Sequence, residues 1–190
     1  NREENVLKEY IPSSNTIHIG VDFNLDPMSA VVSEVKQDYL YVYDEIVIYG
    51  SNTDELVEEI NYRYSGKHIF VYPDPASKQR KTSAGGRTDL SILKNAGYNV
   101  RVRNAHPLVR DRINAVNTKL KNTKGVRTLF IANKCKNVIK SIERQIYKEG
   151  TSLPDKENNY DHMNDALGYL IEFLYPIRTH FKASPPKRFS

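Results

Sequence analysis

Only Gln37 and Asp38 separate two strand-patterned runs, SAVVSEVK at 29–36 and YLYVYDEIVIY at 39–49. A two-residue link closes a β-hairpin. It is far shorter than the dozen or so residues that a crossover between parallel strands takes. Ahead of the hairpin, Ile17, Ile19, Val21 and Phe23 alternate with His18, Gly20, Asp22 and Asn24, which is the period of a strand. The chain is therefore expected to open as a three-stranded antiparallel meander. A pure doubly wound fold would need a crossover after its first strand.

From residue 53 the pattern changes. TDELVEEINYRY at 53–64 reads as a helix capped by Thr53, with Leu56, Val57 and Ile60 as its apolar stripe and Gly66 as its stop. Residues 68–73 read as a fourth strand, reached by a crossover into a parallel position. A basic, glycine-containing loop at 75–87, a helix at 88–96 and a fifth strand at 98–102 follow. Residues 107–121 read as a helix that turns Leu108, Ile113, Val116 and Leu120 to the core. That leaves Arg110, Arg112, Lys119 and Lys121 for solvent or phosphate. A short strand or extended link at 127–131, a helix at 135–148 with Val138, Ile139, Ile142 and Ile146 apolar, and a last helix at 161–175 complete the order. The expected architecture is α/β: a mixed central sheet, first three strands antiparallel, helices on both faces. The length suits one domain, placed at 17–175 between a polar lead-in at 1–16 and a basic, proline-containing tail at 176–190.

Composition narrows the function classes. No run of 18 apolar residues marks a membrane span. The opening NREENVLKEY lacks signal-peptide features and an initiator Met, so a fragment or processed product is expected. Cys135 is the single cysteine and is expected to be a plain free thiol. The net charge of +5 conceals a strong asymmetry: residues 1–77 hold 5 basic and 14 acidic residues, whereas 78–148 hold 18 basic and 3 acidic. A segment of that sign attracts a polyanion by releasing its condensed counterions.

Three carboxylates sit where local pattern does not favour them, because a buried charge needs a partner. Asp22 projects from the first strand; its plainer reading is a cap on the turn DFNLDP, where Asn24 and Asp26 also lie. Asp74 ends the fourth strand between Pro73 and Pro75, at the strand end where such sheets place ligands; it also reads as a turn residue. Asp165 lies on the last helix beside the packing stripe of Met163, Ala166, Leu167, Leu170, Ile171 and Leu174, too deep for a capping role. Asp161 faces the same way four residues earlier; the two carboxylates repel unless a cation or positive side chain joins them, and Asp161 also reads as an N-cap or first-turn acid. His162 reads as a group touching substrate, a ligand water or a leaving group, or as a boundary histidine without chemistry.

Hard divalent ions would reconcile the carboxylates, and an oxygen set favours Mg²⁺ or Mn²⁺. Two ions are expected, with Asp22 between them and Asp74 and Asp165 on either side, in a site that hydrolyses phosphodiesters. Lys78, Arg80, Lys81 and Arg87 read as DNA-backbone contacts, extended by Arg101, Arg103, Arg110 and Arg112. Neither a phosphate loop nor a dinucleotide fingerprint occurs, so no ATPase resides in this chain by itself.

IGVDFNLDP at 19–27, FVYPDPA at 70–76 and DHMNDALGYLIE at 161–172, in that order, resemble the C-terminal nuclease domain of the large terminase subunit of tailed bacteriophages. The resemblance implies a ribonuclease H-like, or resolvase/integrase-like, fold and metal-dependent endonuclease cleavage of concatemeric double-stranded viral DNA during genome packaging. It implies Asp22, Asp74 and Asp165 as the catalytic acids, with Asp161 and His162 auxiliary. It further implies an N-terminal ATPase domain in the full protein, with 1–16 the remnant of its connection, and docking to portal, small terminase subunit and procapsid. The tail, with Lys182, Lys187 and Arg188, is the candidate for those contacts. Such a protein works in the host cytoplasm and transiently at the procapsid portal. Two alternatives stand beside it: a Holliday-junction resolvase or integrase-type nuclease, and a DNA-clamp or portal-docking module with weak intrinsic cleavage.

Overall fold

The structure, a computed structural model, describes residues 2–24, 26–78, 87–151, 154, 155 and 159–177. In chain order its elements are α1 (Arg2–Asn5), β1 (Val6–Leu7), β2 (Thr16–Asp22), β3 (Met28–Lys36), β4 (Tyr39–Ile48), α2 (Thr53–Arg63) and β5 (His68–Pro73). They continue with α3 (Asp89–Asn95), β6 (Asn99–Val100), α4 (Val109–Leu120), β7 (Leu129–Ala132), α5 (Lys136–Arg144) and α6 (Asp161–Leu174). A 3-10 turn at Pro75–Lys78 follows β5. The strands form one sheet in the order β1-β7-β4-β3-β2-β5-β6. β2, β3 and β4 pair antiparallel, as the two-residue link demands, and the remaining pairs are parallel. The expected mixed sheet is thus present. The lead-in contributes to it, because Val6 and Leu7 pair with Ile131 and Ala132 at the sheet edge.

Strand alternation sorts side chains into two layers. Ile17, Ile19, Val21 and Phe23 of the β2 region join Ile69 and Val71 against Leu56 and Ile60 of α2 and Leu93 of α3. Val31, Val42, Tyr72 and Ile131 face the other way, against Ala115 of α4, Val138 of α5 and Leu167 and Leu170 of α6. Each large apolar side chain so buried stabilises by roughly 1.5–3 kcal/mol over leaving it exposed. An exposed pair such as Arg87–Asp54 contributes about 1 kcal/mol at most, so the apolar layers decide the fold. One close approach depends on a missing side chain: a Cβ at Gly20 of β2 would overlap the carbonyl oxygen of Ala166 on α6. That contact sets α6 directly on the central strand, beside Asp22.

Three details depart from expectation. Asn52, not Thr53, caps α2, in a reciprocal pair with Glu55. The buried Thr53 hydroxyl instead donates to Asp89 Oδ1 at 2.8 Å. Helix α5 ends at Arg144, and Ile146 is exposed. Helix α4 is rotated from its apolar stripe: Arg112, Ala115 and Lys119 are buried, Leu108 is exposed, and Ile113, Val116 and Leu120 are half-buried. The reason is partnership. Arg112 meets Asp165, and Lys119 Nζ donates to the Asp38 carbonyl at 2.6 Å and lies over the Tyr175 ring. Burial lowers the Lys119 pKa, yet these partners hold it in place.

Candidate active site

Val21 and Pro73 pair across the parallel strands β2 and β5, and the Asp74 amide donates to the Val21 carbonyl at 3.2 Å. Asp22 and Asp74 are therefore the next residues in register on neighbouring strands, which run about 4.8 Å apart. Both are at most a tenth exposed. Two carboxylates so close repel unless a cation joins them. Their chemistry, oxygen donors on rigid strand ends, fits a hard divalent ion.

Helix α6, which carries the third carboxylate, packs on both of these strands. Tyr169, one turn along from Asp165, has its hydroxyl pKa raised by burial and by the charges of Asp165, Asp74 and Asp22, against Arg112. Asp165 itself is held by Arg112, whose Nη1 lies 3.0 Å from Oδ1 and whose guanidinium lies 4.3 Å over the Tyr169 ring. Among the described residues no group of three or more His, Cys, Asp or Glu side chains is already arranged to hold an ion. The pairing of Asp165 with Arg112 is consistent with that.

His162 Nδ1 lies 3.0 Å from Asp22 Oδ2, and Nε2 lies 2.9 Å from the Asn24 amide nitrogen. A neutral ring that donates from Nδ1 to Asp22 leaves Nε2 to accept from Asn24. The hydrogen bond to Asp22 raises the His162 pKa against the opposing effect of burial, and Asp161, Asp22 and Asp165 add to the rise. Asp161 begins α6, buried, with Oδ1 3.9 Å from His162 Nε2.

The basic residues are less uniform than their sequence suggests. Lys78, Arg101 and Arg110 are exposed; Arg101 lies over the Phe70 ring. Arg87 pairs with Asp54 at 3.1 Å. Arg103 binds Glu172 Oε2 at 3.1 Å and the carbonyls of Glu172 and Phe173, closing the end of α6. Arg112 is buried, which corrects its expected place on a solvent-facing surface: its charge is spent on Asp165. Arg80, Lys81 and the tail residues Lys182, Lys187 and Arg188 lie outside the described residues.

Sequence reading did not single out His106, whose Nδ1 lies 3.4 Å from Asp74 Oδ1. No local pattern points to it. Gly20 did carry a signal, since a glycine inside a strand marks close backbone approach. Cys135 is buried, and burial pushes its thiol up to about 12, which fits a plain structural thiol.

The sequence model of the terminase RNaseH-like domain family matches residues 19–173, a span that includes Asp22, Asp74 and Asp165. The chain belongs to this family. The terminase domain is similar in fold to the large terminase of a thermophilic bacteriophage, with 19% identity and a TM-score of 0.71 over 90% of this chain and 43% of that one. That relative has also been solved with ADP. The domain is likewise similar to the large terminase nuclease domain of bacteriophage SPP1 with bound Mn, at 18% identity and TM-score 0.57, covering 89% of this chain and 96% of that one. The large terminase nuclease of thermophilic phage G20c with bound magnesium matches at 14% identity and TM-score 0.62, covering 90% and 93%. The terminase domain thus spans less than half of the thermophilic bacteriophage terminase. No curated protein sequence matches it significantly. The RNase H-like fold expected from the motifs is the fold observed.

Proposed function

We propose that the terminase domain is a divalent-metal-dependent endonuclease that cuts concatemeric double-stranded viral DNA during genome packaging. The observation that carries this reading is the adjacency of Asp22 and Asp74 at the ends of paired parallel strands, with α6, which carries Asp165, packed on the same two strands. The printed metals of the SPP1 and G20c nuclease structures, Mn and magnesium, support the choice of ion.

Asp22, Asp74 and Asp165 would hold Mg²⁺ or Mn²⁺, two ions in all. When bound, such ions supply Lewis acidity and a nucleophilic water at neutral pH. The remaining work belongs to the chain. His162 Nδ1 orients Asp22 Oδ2, and Asn24 fixes the ring from its other nitrogen. Asp161 Oδ1 lies 3.9 Å from the same His162 Nε2. His106 steadies Asp74 from the solvent side. Lys78, Arg101 and Arg110 bind the DNA backbone, joined by Arg80 and Lys81; such contacts position the duplex without reading its sequence. In the full-length protein an N-terminal ATPase domain, portal, small subunit and procapsid complete the machine, which works in the host cytoplasm at the portal. No described helix is long and apolar enough to cross a membrane.

Purified domain should nick or cut plasmid DNA with Mn²⁺ or Mg²⁺. Asp22→Asn, Asp74→Asn and Asp165→Asn should each lower the rate roughly 100-fold or more while the fold persists. Full activity in all three would sink the assignment. Titration of Mn²⁺ into the domain counts the ions. Preference for branched over linear DNA would favour a resolvase, and DNA binding without cutting would favour a clamp.

A further inference from the structure

The row of paired residues that holds Asp74 and Asp22 does not stop there. Asp22 pairs with Ser29 of β3, and Ser29 pairs with Val47 of β4. The row runs across the sheet, away from the residues expected to bind DNA, into a pocket of about 220 Å³. Ser29, Tyr49, Asn137, Lys140, Tyr160 and His162 are among its lining residues, and no Asp or Glu lines it. That volume is below the roughly 300–1,000 Å³ of pockets that take drug-sized ligands, and it suits a small group.

Two independent features point to an anion. Ser29 is 1% exposed, and its Oγ has no hydrogen-bond partner among the described residues. A buried hydroxyl without a partner is unfavourable unless a ligand or water completes it. Lys140, exposed at the mouth, lies 5.5 Å over the Tyr160 ring, and Arg144 Nη1 reaches the Tyr160 hydroxyl at 3.5 Å. Two lining residues meet acids: His162 meets Asp22 at 3.0 Å and Asp161 at 3.9 Å, and Asn137 meets Glu45. The Glu45 oxygens are occupied by the Asn137 amide, the Asn137 side chain and the Val138 amide, so it caps α5 and not the pocket.

We propose that this pocket is a phosphate subsite. It holds a phosphodiester adjoining the one at Asp22 and Asp74, with Lys140 as its charge and Ser29 Oγ as a donor. It leads the DNA strand over α5, on the opposite side of the acids from Lys78 and Arg101. The proposal rests on the nuclease reading, since continuity with Asp22 selects a strand phosphate over a free one.

The test is binding of a duplex oligonucleotide to the whole chain, with Ca²⁺ as the divalent ion, followed by fluorescence anisotropy across a salt series. Lys140→Gln should weaken binding about 3–10-fold and lower the salt slope by about one. Ser29→Ala should weaken it about 3-fold. Duplexes carrying one neutral methylphosphonate should include a position that weakens the wild-type protein but not Lys140→Gln. Unchanged affinity and slope in Lys140→Gln, or no such position, would overturn the proposal. If inorganic phosphate shifts the Ser29 and Lys140 NMR signals while every methylphosphonate duplex binds both proteins alike, the pocket is a free-anion site and the proposal falls. Plasmid cutting by the wild type is read separately. Cutting with an unaltered Lys140→Gln defeats the pocket alone, whereas absence of both cutting and duplex binding defeats the nuclease reading with it.

Discussion

Arg112 on α4 holds Asp165 on α6: Nη1 and Oδ1 are 3.0 Å apart, and the guanidinium carbon stands over Tyr169, 4.3 Å from its ring centroid. The Arg112 side chain is 8% exposed and that of Asp165 21%. A charge buried this far is worth more when paired than its pair is worth in isolation, because breaking one side strands the other. Arg112→Met should destabilise the domain by about 3 kcal/mol, and Asp165→Asn by less, as Asp165 keeps more solvent. The double variant should cost less than the sum of the two. Urea unfolding of all four proteins measures the coupling, and strict additivity would mean that the pair is incidental.

Gly20 and Gly168 make a contrasting pair. Gly20→Ala must push α6 off β2, since the new methyl would overlap the Ala166 carbonyl. Overpacking against backbone should cost about 3 kcal/mol or more. At Gly168 of α6 a Cβ would meet Cβ and Cδ of Arg112 on α4 at 3.5 and 3.9 Å, both ordinary contacts. Gly168→Ala should be neutral or stabilising by up to about 1 kcal/mol. Thermal melts of the two variants give the comparison, and equal destabilisation would contradict it.

His18 supplies a pH dependence away from the acids. Its ring stacks with those of Phe70 and Tyr72, with Nδ1 2.7 Å from the Tyr72 hydroxyl, and burial lowers its pKa. The unfolded chain then binds the proton more readily than the folded one. Stability is therefore full above the ordinary histidine value of about 6.5 and falls as pH drops from there toward the lower folded value. His18→Phe should flatten that part of the stability profile, measured by urea unfolding between neutral and mildly acid pH. An unaltered slope would place the titration elsewhere.

Glu45 caps a helix from across the sheet. It accepts from the Asn137 and Val138 amides at 3.0 and 2.8 Å, at the start of α5, where Cys135 provides no side-chain cap. Glu45→Ala should cost about 1–2 kcal/mol and speed hydrogen exchange in the first turn of α5. Exchange unchanged at Asn137 and Val138 would show that water replaces the carboxylate at no loss.

Short-range rules were enough for most of the frame. The two-residue link at Gln37 and Asp38 forced an antiparallel pair, the alternation through Ile17–Phe23 put Asp22 on the less apolar face, and the stripe of α6 set Asp165 beside it. These follow from periods of two and 3.6 residues, which a chain carries locally. Helix α4 did not follow its own pattern, because hydropathy counts Arg112 and Lys119 as solvent-seeking and cannot see Asp165, Tyr169 or Tyr175 waiting on other elements. The same holds for the site. The sequence by itself determined which acids were out of place and that they belonged to strand ends and a helix. Only the tertiary structure decided that Asp22 and Asp74 are neighbours in register, that Arg112 answers Asp165, and that the row continues to Ser29, which lines a pocket together with Lys140 of α5. Register and partnership are long-range facts: they arise from which strands pair and which helix faces meet, and no local period encodes them.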